Sequence, residues 1–142
     1  MTPELKAKWV EALRSGRYAQ GNRRMRTRSV LGVRDTYCCL GVLCDVAGKR
    51  WDWVADFRYE CEGTNSSLTG AMQYDLGIGE QEQDLLIGLN DAWSATFDDI
   101  ADYIEGKVGY EDLRKRIDER AKEKKDRAAQ QSADQPCLAK VG

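Results

Sequence analysis

The chain of 142 residues contains no histidine. Without an imidazole there is no Ser-His-Asp or Cys-His nucleophile system, no HExxH zinc hydrolysis and no His-bearing metal site. Chemistry is left to carboxylates, Arg, Lys, Tyr and Cys. Proline is scarce as well, at two residues, and no Pro/Ser-rich linker or internal repeat divides the chain. No apolar run approaches the roughly 18 residues of a membrane span; the longest, Tyr37 to Ala47, is broken by Gly41 and Asp45. The stretch Met1 to Lys6 lacks the apolar region of a signal peptide, and no lipidation motif is present. Cys38, Cys39, Cys44, Cys61 and Cys137 are an odd number of cysteines without an export signal. They predict reduced thiols in a cytosol.

What is present fits one globular domain. Apolar residues make up 42 % of the chain, and folding at this length buries roughly two-thirds of the unfolded surface. The net charge of −2 conceals segregation: Arg14 to Arg34 holds seven arginines and no acid, a local +7. From Asp35 to Tyr110 the balance is −11, and from Glu111 to Arg127 about +2. Such patterning bears on partners rather than on fold.

Thr2-Pro3 is a helix opening, with Thr as N-cap and Pro where its missing N–H costs nothing. Leu5, Trp9, Ala12 and Leu13 then recur at helical spacing up to the stop at Gly16, which predicts an amphipathic helix over Pro3–Ser15. Burying Trp9 and Leu13 contributes roughly 1.5–3 kcal/mol each. Residues 17–34 have little periodicity; Gly21-Asn22 and the pattern Thr27, Val30, Val33 predict a loop and an irregular hairpin carrying arginines on an exposed ribbon. Tyr37 to Gly48 is apolar almost all round, a buried central helix entered from a short strand at Asp35–Cys38. Trp51, Trp53, Phe57 and Tyr59 alternate weakly before a loop over 62–67. Trp51 and Trp53 point the same way on a strand. Short helices follow over Leu68–Leu76, closed by Gly77, and over Glu80–Asn90. Phe97–Glu105 is the clearest helix of the body, with Thr96 as N-cap and acids in the first turn. Tyr110–Gln131 carries only a thin apolar stripe (Leu113, Ile117, Ala121) and reads as a helix that docks at its start and then becomes solvated and frays.

The blocks LKAKWVEALRSGRYAQG, YCCLGVLCDVAG and LGI…EQ…LLIGLND…FDDIADYIE stand in this order along residues 4–105. Together they resemble a family of small proteins encoded in phage and prophage genomes, usually without assigned function. The resemblance implies an accessory protein of a bacterial cytoplasm and carries no catalytic residues across. The Arg-dense stretch 22–34 and everything after Lys107 depart from the family pattern.

Cys38, Cys39, Cys44 and Cys61 read as core thiols, since free Cys is among the most buried residue types. Against a four-thiolate zinc site, CC-x4-C lacks the CxxC knuckle. A helix N-terminus near Cys38 or Cys39 can lower a thiol pKa, but there is no histidine to serve as base. Asp98, Asp102 and Glu105 share the helix face opposite Phe97, Ile100 and Ile104 and read as a solvated face rather than an acid/base or magnesium site. Asn90-Asp91 reads as helix-stop chemistry. Phe97–Glu105, the Gly106–Gly109 turn and Arg114, Lys115, Arg116 and Arg120 suggest a helix-turn-helix, with a loose linker and interleaved acids against it. Gly77-Ile78-Gly79 is too short for a phosphate loop.

The arginine run carries the strongest functional signal. Guanidinium suits bidentate phosphate contact, and Tyr18 offers a ring for stacking; the competing account is that the run docks on the chain's own acidic body. The expected fold is α+β and predominantly helical. It comprises a single compact domain over 1–108 with a short β-ribbon (basic at 14–34), a charged C-terminal helix over 109–131 and a disordered tail over 132–142. The expected role is a non-catalytic, phage-type accessory protein that binds a host partner or a phosphorylated ligand in the bacterial cytoplasm. Its candidate contacts are Arg17, Tyr18, Arg23, Arg24, Arg26, Arg28 and Arg34, with no catalytic residue, metal or cofactor. The alternative is a nucleic-acid-binding regulatory module using the same ribbon and the basic C-terminal helix. A sequence pI near 5.3 counts against duplex binding by the whole surface.

Overall fold

Thr2 opens the first helix as its chemistry dictates: its Oγ1 accepts the Leu5 N–H at 3.2 Å, with Pro3 at the first helical position. The computed structural model describes residues 1–29, 34–54 and 58–134. Helix α1 (Pro3–Arg14) buries Trp9, Val10, Ala12 and Leu13. Helix α2 (Cys39–Val46) is the central element, with every residue from Cys39 to Cys44 buried. Trp9 fixes the two helices together by donating its indole N–H to the Cys39 carbonyl at 2.9 Å.

Five short strands form one sheet: β1 (Ala19–Gln20), β2 (Arg26–Thr27), β3 (Thr36–Tyr37), β4 (Trp51–Val54) and β5 (Arg58–Cys61). They run in the order β1-β3-β2-β5-β4, with β1 parallel to β3 and every other pair antiparallel. The arginine-bearing stretch is thus no appended ribbon, because β2 lies at the centre of the sheet. It is held there by a close approach to α2. A Cβ on Gly41 would sit 1.8 Å from the Met25 carbonyl oxygen, so only glycine fits. The Val30 and Val33 part of the expected hairpin and Phe57 lie outside the described residues.

Four helices complete the body. Helix α3 (Gly70–Leu76) is capped by Thr69, whose Oγ1 accepts from Met72 N–H, and it closes on Gly77 at φ +70°. The expected single helix over Glu80–Asn90 divides: α4 (Glu80–Ile87) is α-helical, and Gly88–Ala92 continues as a π-helical turn. Helix α5 (Phe97–Glu105) begins with a capping box between Thr96 and Asp99 and packs on α1. Helix α6 (Tyr110–Asp134) docks through Leu113 and Ile117, and every residue from Asp118 to Ala133 is exposed. The helix runs past residue 131, so residues 132–134 of the expected disordered tail are helical; the rest of that tail lies outside the described residues. The result is one compact α+β domain, predominantly helical, from which α6 projects.

Candidate functional site

The predicted basic cluster is largely spent inside the molecule. Arg14, at the end of α1, donates from Nη2 to Asp102 at 2.8 Å and to Glu105 at 2.5 Å on α5. Hydrogen bonds to Glu105 and Asp102 raise its already high pKa. Arg17 pairs with Glu11 at 2.7 Å on the surface, and Arg34 donates to the Gly16 carbonyl at 3.0 Å. Arg26 pairs with Asp35 at 2.9 Å. Arg23 takes φ +69° while its backbone N–H bonds to Asp91 Oδ1 at 3.0 Å. Among the described residues the side chains of Arg23 and Arg24 make no ion pair.

Tyr18 is also placed differently from expectation. Its hydroxyl donates to Asp45 Oδ2 on α2, and its ring meets Tyr37 edge-on at 4.9 Å. Burial, followed by the neighbouring Asp45 carboxylate, raises its pKa well above the ordinary tyrosine value. Asp45 accepts from the Trp51 indole N–H at 3.0 Å as well. Tyr18 therefore anchors the segment to α2 through its hydroxyl.

What the structure does assemble is a sheet face of arginine and aromatic side chains. Cross-strand register aligns Tyr37 on β3 with Arg26 on β2, and Trp53 on β4 with Tyr59 on β5. The Arg26 guanidinium lies 4.0 Å from the Tyr59 ring centre, 5.3 Å from Tyr37 and 5.6 Å from Trp51. Two residues after Arg26, just past the end of β2 and on the same face, Arg28 sits 5.1 Å from the Trp53 ring centre. Trp53 meets Tyr59 edge-on at 5.4 Å and remains 50 % exposed. Cation–π contacts of this kind contribute about 0.5–1 kcal/mol each where solvated and about 2 where desolvated. Burial pushes the Tyr37 hydroxyl up to about 12, even with the Arg26 cation pulling it down. The inner part of this face, around Arg26, is closed by Asp35, whereas the outer part, Trp53 with Arg28, is open to solvent. The tyrosines of this box were hidden in the sequence; the signal was the pair of two-residue periods, Arg26-x-Arg28 and Trp51-x-Trp53.

One buried side chain fixes the arginine segment to the helices. Asn90, in the π-helical turn, is 2 % exposed. Its Oδ1 accepts from Gln20 Nε2 at 3.0 Å and from Cys39 N–H at 3.3 Å, and its Nδ2 donates to the Gly21 carbonyl at 2.9 Å and to Asp91 at 2.8 Å. Asn90 is thus a hub joining β1, α2 and the turn rather than a helix stop.

The remaining candidates also resolve into structure. Cys38, Cys39, Cys44 and Cys61 are all buried. Burial pushes Cys38 up to about 11, outweighing the amides at the start of α2, and raises the other three. These thiols are protonated at neutral pH, and among the described residues no group of metal-ligating side chains forms. Cys137 lies outside the described residues. The acidic face of α5 is not simply solvated, because α1 and α6 flank it. Asp102 takes Arg14 and, at 3.0 Å, Arg116, while buried Asp99 takes Arg120 at 2.6 Å; Asp98 and Glu105 stay exposed, Glu105 paired with Arg14. Hydrogen bonds from Arg14 and then Arg116 hold the Asp102 carboxyl below its ordinary value. This geometry answers the helix-turn-helix idea too. Arg116 and Arg120 are turned onto α5, and Arg114 is stacked 3.7 Å from the Trp93 ring centre. Three of the four proposed recognition bases are therefore occupied internally.

No helix among the described residues is long and apolar enough to cross a membrane. No curated protein and no solved structure matches the chain. Residues 1–65 are similar to the family described as Domain of unknown function (DUF8296), a stretch that runs from α1 through β5 and so contains the whole sheet and its arginine–aromatic face.

Proposed function

We propose that this protein is a non-catalytic binding module that engages a protein partner through the outer part of its sheet, with Trp53 and Arg28 at the centre and Arg23 and Arg24 beside them in sequence. The carrying observation is Trp53, half exposed on an outer strand with a guanidinium stacked on it. Tryptophan, tyrosine and arginine are the residue types that dominate binding energy at protein interfaces. A phosphate-rich ligand is served less well, since Arg14, Arg17, Arg26 and Arg34 already have internal partners. On the resemblance of the YCCLGVLCD block to phage-encoded proteins, we place that partner in the cytoplasm of a bacterial host.

The test installs a photo-crosslinking residue at position 53, with a control at Tyr74, which is 90 % exposed on α3. A discrete adduct from position 53 alone, lost in an Arg23→Ala/Arg24→Ala/Arg28→Ala background, is expected. Equal adducts from both positions overturn the reading. The nucleic-acid alternative is measured on single-stranded DNA by anisotropy. If all seven arginines neutralised phosphate, log K would fall with log salt at a slope near −5; with only Arg23, Arg24 and Arg28 available it is about −2.1. A slope near −5 would replace the protein-partner reading with nucleic-acid binding.

A further inference from the structure

The sheet ends on one side at β4, whose only partner among the described residues is β5. The backbone pattern shows which of its groups face outward. Cys61 spends both its N–H and its C=O on Thr64, at 2.9 and 3.1 Å, so its pairing with Trp51 is a non-hydrogen-bonded one. Antiparallel pairs alternate. Asp52–Glu60 is then the hydrogen-bonded pair, and the N–H and C=O of both Trp51 and Trp53 point away from β5, towards the open edge. No backbone or side-chain bond reaches those four groups among the described residues.

Side chains along this edge define what could pair with it. On one face stand Trp51 and Trp53. On the other, Asp52 lies directly opposite Glu60, a like-charge pairing that destabilises a sheet. Among the described residues the ion pair that Asp52 makes is with Arg50, at 3.0 Å and itself 86 % exposed, while Arg58 stands two residues along β5 from Glu60 on the same face. A second copy of this chain is a poor occupant: in the register that pairs Trp51 with Trp53, Asp52 would oppose Asp52. A strand bringing Lys or Arg opposite Asp52 removes the imbalance. It would do so at a non-hydrogen-bonded position, where facing side chains are closest.

Resting on the binding-module reading, we propose that the open edge of β4 is the docking site for an extended segment of the partner protein, added as a sixth strand and alternating apolar with basic residues. Backbone exchange with Trp51 and Trp53 supplies the general affinity, and Asp52 with Glu60 selects the charge. The apolar side chains of the incoming segment cover Trp51 and Trp53 on the arginine-bearing face.

The experiment uses the full chain with three hexapeptides: alternating Val and Lys, alternating Val and Glu, and the Val-Lys peptide N-methylated on the amides of one edge. Binding is read by tryptophan fluorescence and by amide exchange. In the free protein the Trp51 and Trp53 amides are expected to exchange faster than that of Asp52. The lysine peptide should bind about tenfold tighter than the glutamate peptide and slow exchange at Trp51 and Trp53 only. Methylation should abolish binding, and Asp52→Lys should invert the preference between the two charged peptides. Near-UV circular dichroism verifies that this exposed-site variant is folded. Equal binding of the methylated peptide, or no binding by any peptide, overturns strand addition. A position-53 crosslink that persists unchanged in Asp52→Lys also overturns it while leaving the binding face in place. The absence of a specific crosslink at 53 removes the binding face itself.

Discussion

Replacing Asp99 with asparagine takes one negative charge from a carboxylate that is 5 % exposed at its side chain. Both oxygens are committed. Arg120 donates to them at 2.6 and 3.3 Å, and the Thr96 backbone N–H donates to Oδ2 at 2.9 Å. Asparagine retains one acceptor and turns an amide N–H towards Arg120. The loss comprises a charge-assisted hydrogen bond of about 1.5–3 kcal/mol and part of a cap contributing about 1 kcal/mol. Because Arg120 is 43 % exposed and returns to water when its partner goes, the lower end applies, about 2 kcal/mol. For a domain of this length that lowers Tm by about 6–8 °C. Asp99→Ala, which removes the remaining acceptor, should cost about 3 kcal/mol. Urea unfolding followed by tryptophan fluorescence measures both. Burial alone would raise the Asp99 carboxyl, but Arg120 and the Thr96 cap outweigh it and hold it below the ordinary value. Its folded pKa thus lies below its unfolded pKa of about 3.9. The carboxylate's contribution is complete above that unfolded value and fades as pH falls through the folded one. The gap between wild type and Asp99→Asn should therefore close in acid. A double cycle with Arg120→Gln should give a coupling of at least about 1 kcal/mol. An Asp99→Asn protein within about 0.5 kcal/mol of wild type at pH 7, or a gap that does not shrink in acid, refutes this account of the α5–α6 contact.

Three further outcomes follow from the core. Gly41→Ala forces a methyl onto the Met25 carbonyl, a backbone clash that overpacking values of about 1–3 kcal/mol understate; loss of soluble folded protein is expected, and a normal melting curve would contradict it. Asn90→Ala leaves the Cys39 N–H without its buried acceptor and frees Gln20 and Gly21. A loss of about 2–3 kcal/mol in urea unfolding is expected, with faster amide exchange in β1. Alkylation of native protein at pH 7.5, read peptide by peptide, should leave Cys38, Cys39, Cys44 and Cys61 unlabelled until denaturant is added, since the first is pushed up to about 11 and all four are buried. Rapid native labelling of any of them would show a thiol exposed or ionised.

The helices were legible wherever the signal was local. Thr2-Pro3 and Thr96 are caps, and they act on amides within one turn. The apolar block at α2 was legible because a helix buried on all sides needs no amphipathic stripe. The sheet was not, for a geometric reason: strands of two residues have no measurable alternation, and β2 owes its central place to the contact of Met25 with Gly41. Charge partners were hidden for a related reason. Arg14 finds Glu105 ninety-one residues away, and no local spacing announces such a pair. The sequence therefore exposed a cluster of cations without its counter-ions, and self-docking, the competing account, is what Arg14 displays. The aromatic face was half visible, since Trp51 and Trp53 alternate in plain sight while Tyr37 and Tyr59 reach Arg26 only through strand register.

The projection of α6 determines what an unfolding experiment will report. Its last anchors are the buried Ile117 and Arg120, which pairs with Asp99 at 2.6 Å; the exposed stretch 121–133 beyond them extends about 20 Å at 1.5 Å per residue. All four tryptophans, Trp9, Trp51, Trp53 and Trp93, lie before it. Held only by local helix propensity, such a rod melts gradually, while the body melts as a cooperative unit. Ellipticity at 222 nm and tryptophan emission should then give different transition curves on the same sample. A single free energy fitted to the ellipticity would blend two processes, so the stability of the body is the quantity that fluorescence measures.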